Sequence, residues 1–176
     1  MIRIALCLAL FTATPVLAQD SSGPDLAFDA TGVETCIKTA AQRLAQGQQP
    51  AWESCVAASA GPCMEGPGGS STVGTSMCLS QEYDIWDAKL NEAYQSILTQ
   101  AEATDKEMAE LGSAAEKQVP NLRDMQRNWI AYRDAACMFE RSRWGGGTGG
   151  GPAATECMMR LTAQQYFWLL QYDKRD

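Results

Sequence analysis

The chain has 176 residues, with 14 basic and 21 acidic side chains, a formal net charge of −7 and no histidine. The missing histidine removes Ser-His-Asp and Cys-His nucleophile pairs and the usual zinc-hydrolase ligand sets, so any catalysis would rest on carboxylates, Lys or Tyr. The acidic balance disfavours nucleic acid and anionic lipid and favours cationic partners through long-range steering.

The first residues read as a signal peptide. Arg3 precedes an apolar run from Ile4 to Phe11, and small residues surround a cut after Ala18. The run is shorter than the roughly 20 residues that span a bilayer, and no later segment approaches that length, so no membrane insertion of the mature chain is expected. Leu6 stands where a lipoprotein signal needs a small residue before Cys7, which argues against a lipid anchor. Removing residues 1–18 leaves 158 residues, enough for one domain with a real core, and a net charge of −8 once Arg3 is gone. A periplasmic or secreted product follows.

Seven cysteines become six with the loss of Cys7, and an even number in an exported chain implies disulfides. Pairing neighbours along the chain gives Cys36 with Cys55, Cys63 with Cys78, and Cys137 with Cys157. Each closes a modest loop, contributing roughly 3 kcal/mol mostly by restricting the unfolded chain. No Cys-x-x-Cys pair suggests a metal site instead.

Past a polar lead with Gly23 and Pro24, Val33, Ile37, Ala41 and Leu44 recur at helical spacing up to Gly47. Pro50 suits the first turn of a second helix, with Trp52 and Val56 on one face and Gly61-Pro62 at its end. A Cys36–Cys55 bridge would staple the two into a hairpin, an N-terminal extension over residues 19–61. Residues 63–76 are rich in Gly, Ser and Thr without periodicity and read as a loop pinned by Cys63–Cys78.

A long helix follows, with Leu79, Tyr83, Trp86, Leu90, Ala93, Ile97 and Ala101 forming an apolar stripe. A further helical stretch with Met108, Leu111 and Ala115 runs toward Pro120, which starts a new helix or kinks the old one. Leu122, Met125, Trp129, Tyr132, Ala136 and Phe139 then alternate steps of three and four, the clearest helical pattern in the chain. Residues 144–152 hold six glycines and read as an exposed, mobile connection. A last helix over about 155–172 carries Leu161, Gln165, Trp168 and Tyr172 on one side. With no strand pattern, the expected class is all-α, a small antiparallel helical bundle stapled by disulfides.

Few constellations suggest chemistry. Asp84 and Asp87 lie one turn apart and could present paired carboxylates, but solvated or salt-bridged acids are commoner at this spacing. The glycine run 145–151 lacks the Gly-Lys-Ser or Gly-Lys-Thr and the preceding strand of a phosphate cradle. No enzyme activity and no cofactor are expected. Asp87, Asn91, Gln126 and Arg133 lie beside apolar stripes rather than opposite them. A guanidinium in such a place needs a carboxylate, and Asp87 or Asp134 could provide it while fixing the register of the helices.

The string Asp87-Ala88-Lys89-Leu90-Asn91-Glu92-Ala93-Tyr94, the string Gln126-Arg127-Asn128-Trp129-Ile130-Ala131-Tyr132-Arg133-Asp134-Ala135-Ala136-Cys137, and the later Cys157 with Thr162 resemble the lysozyme inhibitor LprI-like N-terminal family. The resemblance covers about 63–170, within a helical domain over residues 62–176. It implies a small, exported, helical, disulfide-containing bacterial domain that binds and inhibits a lysozyme-type muramidase. The chain departs from the family pattern in lacking a lipobox, in carrying Gln165 where Arg is usual, and in its extra segment from about Thr31 to Gly61. An acidic surface suits a cationic lysozyme. Arg141, Arg143 and Trp144, at the mouth of the glycine loop, are candidate contacts, Arg for the carboxylates of a sugar cleft and Trp for a sugar subsite. The alternative is a non-inhibitory interaction module that binds another envelope protein.

Overall fold

The computed structural model describes residues 26–49 and 52–173. The expected signal segment with Cys7, the lead with Gly23 and Pro24, and Pro50 lie outside the described residues. Five α-helices follow in order, α1 (Thr31–Ala45), α2 (Ala60–Glu65), α3 (Thr72–Glu110), α4 (Gln118–Ser142) and α5 (Gly150–Leu170), with a 3-10 turn at Trp52–Cys55. No strand occurs among the described residues.

The 39-residue α3 is the spine, ~58 Å long at 1.5 Å per residue. Its stripe is buried as the periodicity requires, from Leu79 through Trp86, Leu90, Ala93 and Ile97 to Ala101, although Tyr83 is only half-buried. The helix does not break before Met108. It runs unbroken to Glu110, Leu111 and Ala115 are exposed, and Pro120 sits in the first turn of α4, where its missing N–H has no intrahelical partner to lose.

Consecutive long helices run antiparallel. Asp105 near the end of α3 meets the start of α4, and Cys137 late in α4 is bridged to Cys157 early in α5. α5 packs most extensively on α3 and next on α4. Having two neighbours, it is buried on both sides, with Met159, Leu161, Thr162, Ala163, Gln165, Tyr166 and Leu169 enclosed, and exposes a stripe of Glu156, Arg160, Gln164 and Trp168. Trp86 meets Tyr166 and Phe167 at ring-centroid distances of 5.8 and 5.3 Å. Each fully buried large side chain of this seam, such as Trp86, Leu90 and Leu169, contributes about 1.5–3 kcal/mol.

The three disulfides close as Cys36–Cys55, Cys63–Cys78 and Cys137–Cys157, with Cα separations of 5.4, 5.8 and 5.3 Å. The second arm expected beside α1 is not an α-helix. It is the 3-10 turn, followed by Ala57 with φ of +69°. Nor does Gly61-Pro62 end a helix, because both residues lie within α2. The stretch read as a loop over 63–76 is mostly helical, and only 66–71 separates α2 from α3. Its glycines serve close packing. A Cβ at Gly74 would stand 2.0 Å from the Gly68 carbonyl oxygen, so the first turn of α3 presses directly on the preceding turn.

α1 joins this frame through buried Val33, whose N–H donates to Ser59 Oγ at 3.2 Å, and through an ion pair from Lys89 of α3 to Glu34. Among the described residues no helix is long and apolar enough to cross a membrane.

Candidate functional site

Three arrangements of polar and aromatic side chains stand out against the helical frame. At the head of the bundle, Glu82 of α3 is fully buried and accepts four hydrogen bonds. Oε1 takes the N–H of Ala57 at 2.7 Å and the indole N–H of Trp86 at 2.8 Å, while Oε2 takes the N–H groups of Ser59 at 2.9 Å and Ala60 at 2.7 Å. α2 has no side-chain cap of its own, so a carboxylate 22 residues further along the chain satisfies its first N–H groups. The left-handed Ala57 turns the backbone so that these donors converge. Glu82 is an anchor between the two N-terminal disulfides. The sequence reading passed over it, although its place three residues after Leu79 and four before Trp86 sets it on the stripe itself.

The second arrangement is the polar set of the motif. Gln126 and Arg133 are buried on α4 and face the bundle. Gln165 of α5 donates to Gln126 Oε1 at 3.3 Å and approaches Met125 Sδ at 3.3 Å, so two neutral amides meet there. Arg133 lies over the Trp129 ring at 4.9 Å and gives Nε and Nη2 to Asp134 Oδ1 at 3.0 and 2.9 Å. Of the two expected carboxylates, Asp134 is thus the one that pairs with Arg133. Asp87 instead accepts from Asn91 at 2.9 Å, while Asp84 is exposed. Tyr83 links the two helices electrostatically. Burial pushes its phenol above the ordinary 10.0, the Arg133 cation opposes this, and Asp87, Asp134 and Asp84 add to the rise.

Burial of Arg133 changes the reading of α4. Past Trp129 the inward seam advances by fours, to Arg133 and Cys137, while Tyr132 and Phe139 turn outward with 61% and 65% of their surfaces exposed. The expected stripe was wrong at these two residues. The cystine to α5 and the guanidinium stacked on Trp129 occupy the seam instead.

The third arrangement lies where that outer face ends. The non-helical link over 143–149 is exposed up to Thr148, as expected, and folds as a turn around Trp144. Trp144 accepts the N–H of Gly147 at 2.8 Å, and its ring lies so close on Gly149 that a Cβ there would meet ring carbons at 2.2 Å. The indole keeps 53% exposure. Arg143 reaches back to Glu140 at 3.1 Å, and Arg141 is exposed. Arg143, Trp144, Glu140, Glu156 and Arg160 surround a depression of ≈460 Å³ backed by Cys157. The structure therefore places Arg143 and Trp144 together. Arg141 lines a separate hollow with Met138 and the glycines.

Among the described residues no group of three or more Cys, Asp or Glu is arranged to hold a metal ion. The chain matches the family model described as lysozyme inhibitor LprI over residues 63–169, which includes the motif helices and the turn at Trp144. A protein of Rhizobium meliloti (strain 1021) described as uncharacterized is 32% identical over 89 residues, 51% of this chain. The match spans about 64% of that relative's length. No solved structure matches.

Proposed function

The chain belongs to the lysozyme inhibitor LprI family, and we propose that its mature part is an exported periplasmic protein that binds and inhibits lysozyme-type muramidases through the outer face of α4 and the Trp144 turn. Three disulfides suit an oxidising compartment outside the cytoplasm. The observation that carries the reading is the exposure of Tyr132 and Phe139 along the outer face of α4, with Trp144 beside Arg143 at its end, on a helix tied to α5 by a cystine. Aromatic and Arg side chains held on rigid elements are the residues in which binding energy concentrates. A net charge of −7 steers the chain toward a cationic enzyme. Arg143 can exchange Glu140 for a carboxylate of the sugar cleft while the indole fills a sugar subsite.

The test is binding and inhibition of a panel of lysozymes by the oxidised mature protein at low and at physiological salt. Inhibition that survives physiological salt, where the Debye length is about 8 Å, requires more than diffuse charge. Arg143→Ala with Trp144→Ala, and separately Tyr132→Ala with Phe139→Ala, are each expected to weaken binding about 30-fold or more, the ~2 kcal/mol of a hot spot. Unchanged inhibition by both double variants refutes this surface. Absence of lysozyme binding with capture of an endogenous envelope protein supports the non-inhibitory module instead.

A further inference from the structure

A cleft of ≈550 Å³ opens at the other end of α4, between its first turns, the end of α3 and the end of α5. Met125, the lining residue farthest along α4, is 14 residues before Phe139, ~21 Å along the helix, so the cleft lies at the opposite end from Phe139 and the Trp144 turn. All twelve side chains lining it are uncharged, in a protein where one residue in five is charged. The floor is apolar, with Leu122, Met125 and Leu169. Its rim carries four amides, Gln100, Gln118, Asn121 and Gln171. Two aromatic rings, Trp168 and Tyr172, stand at one side with centroids 4.9 Å apart and 40% and 50% exposure. Asp173 accepts from Gln100 Nε2 at 3.1 Å and from Ser96 Oγ at 2.8 Å, which holds the Gln100 amide in place.

Trp168 and Gln171 also line a second hollow of ≈490 Å³, where Trp52 stacks on Phe167 at 5.2 Å, Gln164 adds another amide, and Glu53 and Arg160 bring charges of both signs. Trp168 and Gln171 thus border both hollows, and only the first is free of charged lining.

We propose that the first cleft binds a neutral oligosaccharide, with Trp168 stacking on the apolar face of a pyranose ring and the amides bonding its hydroxyl or N-acetyl groups. The lining of this cleft argues against several other ligand classes. An anion finds no cation in the first cleft, and a cation finds no carboxylate lining it. An acyl chain would strip water from four amides and return no hydrogen bond. A peptide that binds by strand addition needs an open strand edge, and the described residues form helices and turns with no strand. A sugar ring presents flat C–H faces and hydroxyls that both donate and accept, which is the pairing that aromatic faces and carboxamides offer.

The experiment is titration of the oxidised mature protein with chitotetraose, followed by tryptophan fluorescence and calorimetry. The expected result is saturable binding with a change in the indole emission, weakened ten-fold or more in Trp168→Ala. Gln118→Ala, at an exposed residue of the rim, guards against misfolding of the first variant and is expected to weaken binding several-fold with an unchanged far-UV spectrum. Tyr132→Ala with Phe139→Ala leaves sugar binding intact, which separates this proposal from that for lysozyme. No saturation up to about 10 mM, ten-fold above a 1 mM Kd, overturns the proposal, and so does binding that Trp168→Ala leaves unchanged.

Discussion

Replacing Glu82 is the sharpest test of how the head of the bundle is held. Glu82→Ala strands four donors at once, the N–H groups of Ala57, Ser59 and Ala60 and the indole of Trp86, of which the last three belong to fully enclosed residues. A buried donor left without a partner costs about 1–3 kcal/mol, so these three alone cost about 3–9 kcal/mol before the lost volume is counted. That is comparable with the whole net stability of a domain, about 5–15 kcal/mol. Glu82→Gln keeps the volume and one carbonyl oxygen, which serves two donors, but turns an NH₂ toward the others. We expect a loss of about 3 kcal/mol. Trp86→Phe leaves the carboxylate its three backbone partners and removes one charge-assisted bond, a loss of about 1.5–3 kcal/mol. Urea unfolding of the oxidised proteins, followed by far-UV circular dichroism, measures all three. A Glu82→Gln midpoint within about 0.5 kcal/mol of wild type would refute the view that this carboxylate organises residues 57–60.

Other consequences follow from the same contacts. Asp105 accepts the N–H of Gln118 at 2.7 Å and of Val119 at 3.0 Å, capping α4 from α3, and these bonds hold its carboxyl below the ordinary 3.8. A depressed carboxyl contributes stability above its unfolded value and loses it as pH falls through the folded one. Asp105→Asn therefore lowers stability at neutral pH and flattens the acid limb of a stability profile below about pH 4. The raised Tyr83 phenol has the opposite sign. Its contribution is complete below about pH 10 and fades as pH climbs through the higher folded value. Removing the opposing cation in Arg133→Met moves the ultraviolet-monitored phenol titration further upward, and an unchanged curve would show that Arg133 does not face Tyr83. Cys137→Ala with Cys157→Ala opens a link between residues 20 apart, for an expected loss of about 3 kcal/mol in a chemical melt. It also loosens the Trp144 turn, so lysozyme binding should fall more than sugar binding.

The helical period, the cysteine pairing and the lack of strand patterns were legible in the chain because each depends on neighbours close in sequence. Apolar residues every three or four positions specify a helix wherever it lies, and cysteines 15–20 residues apart meet when short helices fold back. Which side of a helix is covered is another matter. α4 is buried along a narrow seam facing α5, so a pattern with apolar residues on more than one side could not say that Arg133 goes in and Tyr132 and Phe139 stay out. Glycine content suggested loops at 63–76 and 144–152, whereas Gly74 and Gly149 are small because backbone or indole presses on them. The caps show the division most clearly. α2 and α4 lack local capping side chains, and their N–H groups are met by Glu82 and Asp105 of α3. Sequence alone therefore determined that this chain makes helices joined by cystines. Only the tertiary structure decided which carboxylates hold those helices and which aromatic faces they leave open, since both depend on groups far apart in the chain.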